Sequence, residues 1–143
     1  MSKTVVYYKS GAKRNFNIVG ELNNRFSKNK RIAKIELGDS VTSIGEDAFY
    51  KCSSLTSVTI PGNVITVMYS AFERCSDLKT VTIENGVKNI QYEAFSGCSS
   101  LTKIIIPESI KKTPKNFMRF ALSWNIVMPI KKVPIIPIPV QIA

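Results

Sequence analysis

A short stretch in which apolar and polar residues alternate recurs along the chain. In the segment 55–60, Val58 and Ile60 alternate with small polar residues. Alternation of this kind predicts a β-strand with one buried face and one exposed face. The same pattern predicts further strands around three other pairs of buried residues, which are Ile35 and Leu37, Val81 and Ile83, and Ile104 and Ile106.

These strands belong to a unit that recurs every 23 residues. A spacing this short is typical of a solenoid, in which each unit buries its apolar face only by stacking on the next. Solenoids usually bind other molecules rather than transform them, so the repeat also bears on function. An Ala-Phe pair, a Cys and a Leu recur in phase, as Ala48-Phe49, Ala71-Phe72 and Ala94-Phe95, as Cys52, Cys75 and Cys98, and as Leu55, Leu78 and Leu101.

The hydrophobic period changes halfway through each unit. The Ala-Phe, Cys and Leu positions lie at helical spacing, which predicts a short helical turn that closes the unit. Before each turn, two apolar residues three positions apart, such as Val41 and Ile44, are predicted to be buried as well. The unit therefore reads as a strand, a buried pair and a helical turn.

The N-terminal segment follows a different pattern. Residues 4–8 and 15–19 are short β-prone runs, and the basic segment between them contains Gly11 at a turn position, which predicts a β-hairpin. Phe26 lies one repeat length before Phe49, so a degenerate repeat is predicted beneath the hairpin. Because the end of a solenoid must present a polar surface to water, the two are interpreted together as an N-terminal cap.

The pattern divides the chain into three parts. A cap spans residues 1–31, the repeats span residues 32–126, and a Pro/Ile-rich segment spans residues 127–143. The last segment holds four of the seven prolines, which disfavours a helix or a central strand and favours an extended arm. Its apolar residues either fold back as a C-terminal cap or insert into another subunit.

The net charge of +10 is divided unevenly along the chain. Residues 1–40 carry nine Lys/Arg against three Asp/Glu, residues 41–101 carry four against six, and residues 102–143 carry seven against one. Both flanks are basic, with clusters at 25–34 and 111–119. Three interpretations stay open: solubility of the two ends, contact with an acidic partner, and binding to nucleic acid. The lack of aromatic residues between the charges disfavours nucleic acid.

The chain contains no histidine. This excludes histidine-based hydrolytic triads, zinc held by histidine, and proton transfer by an imidazole. The predicted exposed strand positions hold no converging carboxylates, and no phosphate-binding loop is present. The sequence therefore indicates a protein that is not an enzyme and that uses no cofactor.

The sequence predicts neither a membrane span nor an export signal. No stretch of about 20 apolar residues is present, and the first residues lack the ~7–15 apolar residues of a secretory signal. A complete chain is therefore expected in the cytoplasm or in a larger particle. A chain from which an export signal was removed is expected at the cell surface or outside the cell.

The three cysteines invite three interpretations, which are a buried ladder, a disulfide and a metal site. Equivalent positions in a solenoid align as a column, one per layer. Three thiols in a row, with no fourth ligand that repeats beside them, make a poor tetrahedral site. A buried cysteine behaves as a small apolar residue, so the ladder is the favoured interpretation.

The unit VTSIGEDAFYKCSSLTSVTIP at residues 41–61 closely resembles the BspA-type leucine-rich repeat, with the pattern V-x-x-I-x-x-x-A-F-x-x-C-x-x-L-x-x-I-x-I-P. The resemblance is close over residues 41–110 and extends from about residue 32 to 128. It implies an α/β fold, a short right-handed leucine-rich-repeat solenoid with a parallel sheet on the concave side and short helical turns on the convex side. Members are typically surface or secreted proteins of bacteria and protists, implicated in adhesion and protein binding.

These observations favour a non-catalytic protein-binding module. Its partner is interpreted as another protein, an acidic one among the candidates, or a further subunit reached through the C-terminal arm. The alternatives are a structural subunit of a virion, fibre or surface array, and a binder of polyanions or nucleic acid. Two sets of candidate contact residues follow, which are Lys34, Glu36, Ser57, Thr59, Thr80, Thr82, Lys103 and Ile105 on the predicted sheet, and Ile136, Ile138 and Val140 in the arm.

Overall fold

The computed structural model describes residues 2–110 and the backbone of residues 126 and 127. Short alternating runs form short strands, and the single 3-10 helix among the described residues is Asn24–Phe26. The strands are β1 Thr4–Tyr8, β2 Lys13–Phe16, β3 Gly20–Leu22, β4 Ile32–Glu36, β5 Val41–Ile44, β6 Ser57–Ile60, β7 Thr66–Val67, β8 Thr80–Ile83, β9 Asn89–Ile90, β10 Lys103–Ile105 and β11 Ile126–Val127.

The strands form two sheets, and the chain alternates between them from β3 to β10. The long sheet has the order β11-β10-β8-β6-β4-β1-β2, and the short sheet has the order β3-β5-β7-β9. All pairs are parallel except the two that β1 makes with β2 and β4. A chain that visits two parallel sheets in turn winds as a solenoid, so the predicted stacking of 23-residue units is confirmed.

The short sheet goes beyond what the sequence predicts. The pattern places buried apolar pairs at these positions, and Val41 and Ile44 are indeed fully buried at the two ends of β5. Ile44 pairs with Val67, which pairs with Ile90 in the next layer. Because the two apolar residues of β5 are three positions apart, the period-two signature of a strand is missing from the sequence.

A column of stacked phenylalanines fills the space between the two sheets. Successive ring centroids are 5.8, 5.0 and 5.2 Å apart along Phe26, Phe49, Phe72 and Phe95, with interplanar angles of 8°, 14° and 7°. Phe16 packs edge-on against Phe26 at 5.1 Å and 82°. Phe26, which lies in the predicted degenerate repeat, thus continues the column beyond Phe49. Aromatic pairs of this kind contribute about 0.5–1.5 kcal/mol each beyond the area that they bury.

The cysteines form a second buried column, and each is a free thiol. The Sγ atoms of Cys52, Cys75 and Cys98 donate to the backbone carbonyl oxygen of the phenylalanine 26 residues earlier, at 3.0–3.1 Å. Burial raises the pKa of Cys52 to about 11 and that of Cys98 to about 12, and it raises the pKa of Cys75 well above the ordinary thiol value. The thiols therefore stay protonated in the core, as the ladder interpretation predicts.

The helical turns predicted for each unit are not helices in the structure. The N–H of Cys52 bonds the carbonyl of Phe49, three residues earlier, at 3.0 Å. The N–H groups of Phe49 and Lys51 instead bond carbonyl oxygens of the next layer, at 2.7 and 2.9 Å. Asp47 and Lys51 also have a φ of 55°, in the left-handed region. A helix cannot form here because the donors that it needs are used between layers.

The predicted hairpin is present, with its second strand two residues earlier than expected. Gly11, at φ 88°, lies in a tight turn closed by hydrogen bonds of 2.9 Å from Gly11 to Tyr8 and from Tyr8 to Ala12. β1 then pairs with β4, so the hairpin lies at the N-terminal end of the long sheet. Its role as a cap remains a prediction.

At the other end of the long sheet, β11 pairs with β10 and brings Val127 beside Ile105, where the repeat predicts a strand residue. The arm beyond this strand and the degenerate fourth turn at 111–125 lie outside the described residues, so their predicted roles are untested. Within the described part of the chain, no helix has the length and hydrophobicity needed to cross a bilayer.

Candidate functional site on the long sheet

Strand alternation decides which side chains of the long sheet reach solvent. On β4, the side chain of Ile35 is buried, whereas Lys34 and Glu36 lie on the opposite face and are exposed. The buried Val58 on β6 and Val81 on β8 continue this alternation. All eight candidate residues of the sheet therefore share one face, here called the polar face, which consists of Lys34, Glu36, Ser57, Thr59, Thr80, Thr82, Lys103 and Ile105.

The register of the parallel strands arranges the polar face in two rows. Neighbouring strands lie about 4.8 Å apart, so each side chain has its repeat equivalents directly beside it. The structure thus brings together residues that are up to 71 positions apart in the sequence. The first row is Lys34, Ser57, Thr80 and Lys103, and the second row is Glu36, Thr59, Thr82 and Ile105.

The hairpin extends the polar face with residues that sequence reasoning missed. Tyr7 pairs with Lys34 in the first row, and Lys13 of β2 pairs with Tyr7. The hydroxyl of Tyr7 donates to Glu36 Oε2 at 3.0 Å, and Lys34 Nζ lies 2.9 Å from Glu36 Oε1. Lys34 Nζ also lies 5.2 Å from the centroid of the Tyr7 ring. The sequence signal for β1 was its β-prone composition, which does not say which strand it pairs with.

These contacts shift the pKa values of the three groups. The hydrogen bond from Lys34, followed by that from Tyr7, lowers the pKa of Glu36. The hydrogen bond with Glu36 raises the pKa of Tyr7 and that of Lys34. All three groups lie at the surface, where water and salt screen their charges. The contacts among Tyr7, Lys34 and Glu36 therefore contribute little to the stability of the fold. Their main effect is to orient these side chains at one end of the polar face.

An open depression of about 280 Å³ lies in the polar face between β4 and β6. Lys34 and Glu36 form one wall, and Ser57 and Thr59 form the other, with Pro61 at one end. Charged groups and hydroxyls thus converge on one concave area. It is large enough to receive one side chain of a partner rather than a bulky organic ligand, since pockets for such ligands measure roughly 300–1,000 Å³.

The chemistry of the polar face consists of hydrogen bonding and charge pairing. Serine and threonine hydroxyls both donate and accept, and here they stand on strands fixed on both sides. Glu36 is the one carboxylate in the two rows, so the rows hold no carboxylate pair for acid–base catalysis. Among residues 2–110, no group of three His, Cys, Asp or Glu side chains is placed to hold a metal ion.

The second predicted set of contact residues cannot be placed in the same way. Ile136, Ile138 and Val140 lie outside the described residues, so a contact between the arm and another subunit stays a prediction. The same holds for the basic cluster at 111–119.

Comparison with known proteins identifies the repeat. The model of the family described as "BspA type Leucine rich repeat region (6 copies)" matches residues 21–135, which is wider at both ends than the range that the repeat phase indicates. No curated protein sequence matches the chain significantly.

Two solved structures share the fold. A leucine-rich repeat protein from Bacteroides capillosus is similar with a TM-score of 0.58 and 24% identity, over 90% of this chain and 96% of that one. A leucine-rich repeat protein from Bacteroides ovatus is similar with a TM-score of 0.56 and 21% identity, over 90% of this chain. The chain spans 36% of the length of the B. ovatus protein.

Proposed function

The chain belongs to the family of BspA-type leucine-rich repeat proteins, and from this premise we propose that it is a non-catalytic module whose polar face binds a partner protein. Solenoids of stacked repeats offer extended surfaces that are held rigid from layer to layer. The side chains of the polar face stand on paired strands and not on loops. Binding to such a face orders few additional groups, which lowers its entropic cost.

The two-row register is the observation that carries this proposal. It places four small hydroxyl-bearing residues at the centre of the face, with Lys34 and Glu36 at one end and Lys103 at the other. Charged residues are depleted at the centre of protein interfaces and the rim is polar, and the polar face shares this distribution of charge. A partner protein that lies across the layers would contact hydroxyl groups at the centre of the polar face and charged groups at its ends.

The charges of the polar face favour an acidic partner. Lys13, Lys34 and Lys103 lie in the first row or in register with it, whereas Glu36 is the one acidic residue. Glu36 is already engaged by Lys34 and by Tyr7. A carboxylate of the partner near Lys103 would therefore face an unneutralised cation, which would raise the association rate and the specificity more than the affinity.

A matched pair of double variants tests the proposal. Thr59→Arg with Thr82→Arg places two bulky cations at the centre of the polar face. Thr66→Arg with Asn89→Arg adds the same charge to paired positions of the short sheet. The wild type and both variants are immobilised, and the proteins that each retains from one cell extract are quantified by mass spectrometry. Circular dichroism verifies that all three are folded.

We expect at least one retained protein to be lost about tenfold or more with the polar-face variant and to be kept by the short-sheet variant. A tenfold loss corresponds to about 1.4 kcal/mol, a modest share of an interface. Equal retention by all three forms, or equal loss with both variants, would exclude the polar face as the binding site.

The proposal extends to the hairpin as a cap over the N-terminal end of the stack. Thr4 is buried, and its Oγ1 accepts a hydrogen bond from the N–H of Gly38 at 3.0 Å. Ser2 Oγ accepts one from the N–H of Asp39 at 2.9 Å. The edge strand β2 carries Lys13 and Arg14, and charged residues on an edge strand oppose pairing with other chains. These contacts support a capping role.

A further inference from the structure

The strongest charge imbalance among the described residues lies in the N-terminal segment, and most of its cations are outside the polar face. Residues 2–31 contain eight Lys/Arg and a single acidic residue, Glu21. The one ion pair that the described residues form joins Lys34 to Glu36, outside this segment. The cations of residues 2–31 are therefore not neutralised by any described carboxylate within ion-pair distance.

Hydrogen bonds between the hairpin and successive layers bring five basic residues close together on one edge of the stack. The N–H of Lys9 bonds the carbonyl oxygen of Arg31 at 2.8 Å, and the N–H of Lys28 bonds that of Tyr50, beside Lys51, at 2.6 Å. The hydroxyl of Ser54 bonds the carbonyl oxygen of Lys30 at 2.6 Å, which ties that turn to the next layer. We call this group the basic surface, which consists of Lys9, Lys28, Lys30, Arg31 and Lys51.

Two of these lysines occupy a backbone conformation that favours glycine. Lys28, Lys51 and Arg74 are equivalent positions of successive layers, with φ of 62°, 55° and 59°, and Gly97 follows in the next layer at 71°. Only the last of the four positions has the residue that adopts this conformation without strain. Asp47, Ser70 and Glu93 form a second column of left-handed residues, with φ of 55°, 55° and 56°, and none of them is a cation, so the conformation alone does not select a charge. In the first column, the three positions without glycine all hold a cation.

We propose that the basic surface binds a sulfated polysaccharide. A cluster of lysines and arginines is the surface that such polyanions recognise. Among the described residues, none of the five cations forms an ion pair. Glu73 lies beside Lys51, whose N–H bonds the Glu73 carbonyl oxygen at 2.9 Å. Four of the five residues are lysines, which act as separate point charges and do not require the planar geometry that arginine reads. The site is distinct from the polar face, so it adds a second binding function and does not depend on the first.

The surroundings favour a polysaccharide over a nucleic acid. Binding of single-stranded nucleic acid relies on open aromatic rings on which bases stack. Two half-buried tyrosines lie beside the basic surface. Tyr8 precedes Lys9 and packs against the core, and Tyr50 has Lys51 Nζ 5.3 Å from its ring centroid. The ring of Tyr50 is therefore already in contact with a cation. Recognition here rests on charge alone.

The experiment measures the affinity of the full chain for a heparin-derived dodecasaccharide at several salt concentrations. Five contacts should give a slope of roughly −4 for log affinity against log salt, on the scale of about 0.7–0.9 per contact known from nucleic acids. Raising salt from about 0.05 to 0.2 M should then weaken binding about 10²-fold.

Two triple variants with equal charge locate the site. In the first, Lys28, Lys30 and Lys51 are replaced by Gln. In the control, Lys3, Lys79 and Lys88, which lie outside the basic surface and the polar face, are replaced by Gln. We expect the first to lower the slope by about 2–3 and the affinity at least about tenfold, and the control to leave both nearly unchanged. All substituted side chains reach solvent, so melting curves should show that both variants fold.

Three outcomes would overturn the proposal. Absence of binding at about 0.05 M salt would exclude the ligand class. Equal losses in both triple variants would show attraction to net charge without a site. Tighter binding of a 12-base-pair DNA duplex than of the dodecasaccharide, with the same sensitivity to Lys28, Lys30 and Lys51, would assign the basic surface to nucleic acid instead.

Discussion

Glu36 shows how a single surface residue can organise one end of the polar face. It accepts hydrogen bonds from Tyr7 of the hairpin and from Lys34 of its own strand. The hairpin and the first repeat are thus joined by side chains as well as by the ladder between β1 and β4. Because long side chains lose rotamer freedom when they bind, this prior ordering favours recognition.

Replacing Glu36 by Gln should lower the pKa of Tyr7 towards the ordinary tyrosine value of about 10. The substitution removes the negative charge and leaves one acceptor oxygen instead of two, so the phenolic proton is held less strongly. The pKa of Tyr69, which is raised mainly by Glu93, serves as an internal control and should not move. Titration of the tyrosine ring signals by NMR measures both, and an unchanged pKa of Tyr7 would contradict the contact.

The same cluster predicts the sign of a pH effect on stability. The folded-state pKa of Glu36 is lowered, so its contribution is present above the unfolded value of about 4.3 and is lost as pH falls through the folded value. The folded-state pKa of Lys34 is raised, so its contribution is present below about 10.4 and is lost as pH rises through the folded value. Wild type and Glu36→Gln should therefore converge in stability at low pH.

Sequence reasoning reached some of these residues and not others, for a physical reason. The eight residues of the polar face follow from alternation combined with the repeat period. Tyr7 does not, because the pairing of an antiparallel hairpin with the first repeat strand is not encoded in that period. The left-handed positions were also hidden, since Lys28 and Lys51 stand where a glycine would have revealed the conformation.

At the scale of elements, close contacts between the backbones of successive layers fix the distance between those layers. Gly62 follows β6, and a methyl group built on its Cα would overlap the carbonyl oxygen of Asn85, its equivalent in the next layer. Its φ lies outside the left-handed region, so strain of the backbone is not the issue. The glycine is required by the close approach alone.

The substitution Gly62→Ala should therefore destabilise the protein by about 1–3 kcal/mol, the usual cost of forcing extra volume into a packed site. Asn85→Ala at the equivalent, exposed position is the matched control and should stay within about 0.5 kcal/mol of wild type. Urea unfolding followed by circular dichroism gives both values. Equal stability of the two variants would show that the layers can separate at this point at little cost.

A strand could be predicted where apolar and polar residues alternate along it, and was missed where they do not. In the long sheet, β6 and β8 have two buried residues two positions apart, and the buried Ile106 follows β10 two positions after Ile104; these strands were found. The strands of the short sheet have two to four residues and no alternation, and they were not found. Helical turns were predicted from the spacing of Ala48, Phe49 and Cys52, but the same spacing also suits a series of turns that exchange hydrogen bonds with the next layer.

The stability of the whole molecule depends on every layer keeping its residues in register with the equivalent residues of the next layer. Insertion of two residues between Leu78 and Lys79 would displace β8 from β6 and would break the Phe column above Phe72. We expect loss of the cooperative transition or a fall in melting temperature of more than about 10 °C, since each kcal/mol is worth a few degrees at this size.

The matched control inserts the same two residues between Ser10 and Gly11, in the turn of the hairpin. This exposed turn lies outside the stack, and loops tolerate added length at small entropic cost. The control should melt within a few degrees of wild type. Equal melting of both insertions would contradict a structure in which like side chains contact like from layer to layer.

The architecture as a whole was the most predictable property of this chain. A period of 23 residues leaves few alternatives to a solenoid, and stacked Phe49, Phe72 and Phe95 confirm the phase. The position of the binding surfaces was less predictable. The basic surface joins residues 9, 28, 30, 31 and 51, which are brought together by contacts of the hairpin with the first repeat and of that repeat with the next layer.

Identical contacts between successive layers also bear on how such a chain can change through descent. Because Phe49, Phe72 and Phe95 have interchangeable surroundings, misaligned recombination that duplicates or removes 23 codons leaves a gene product with an intact interior. Each such event would lengthen or shorten the rows of hydroxyl groups by one step. The length of the polar face, and with it the size of the partner that it can span, can thus change under selection while the fold is kept.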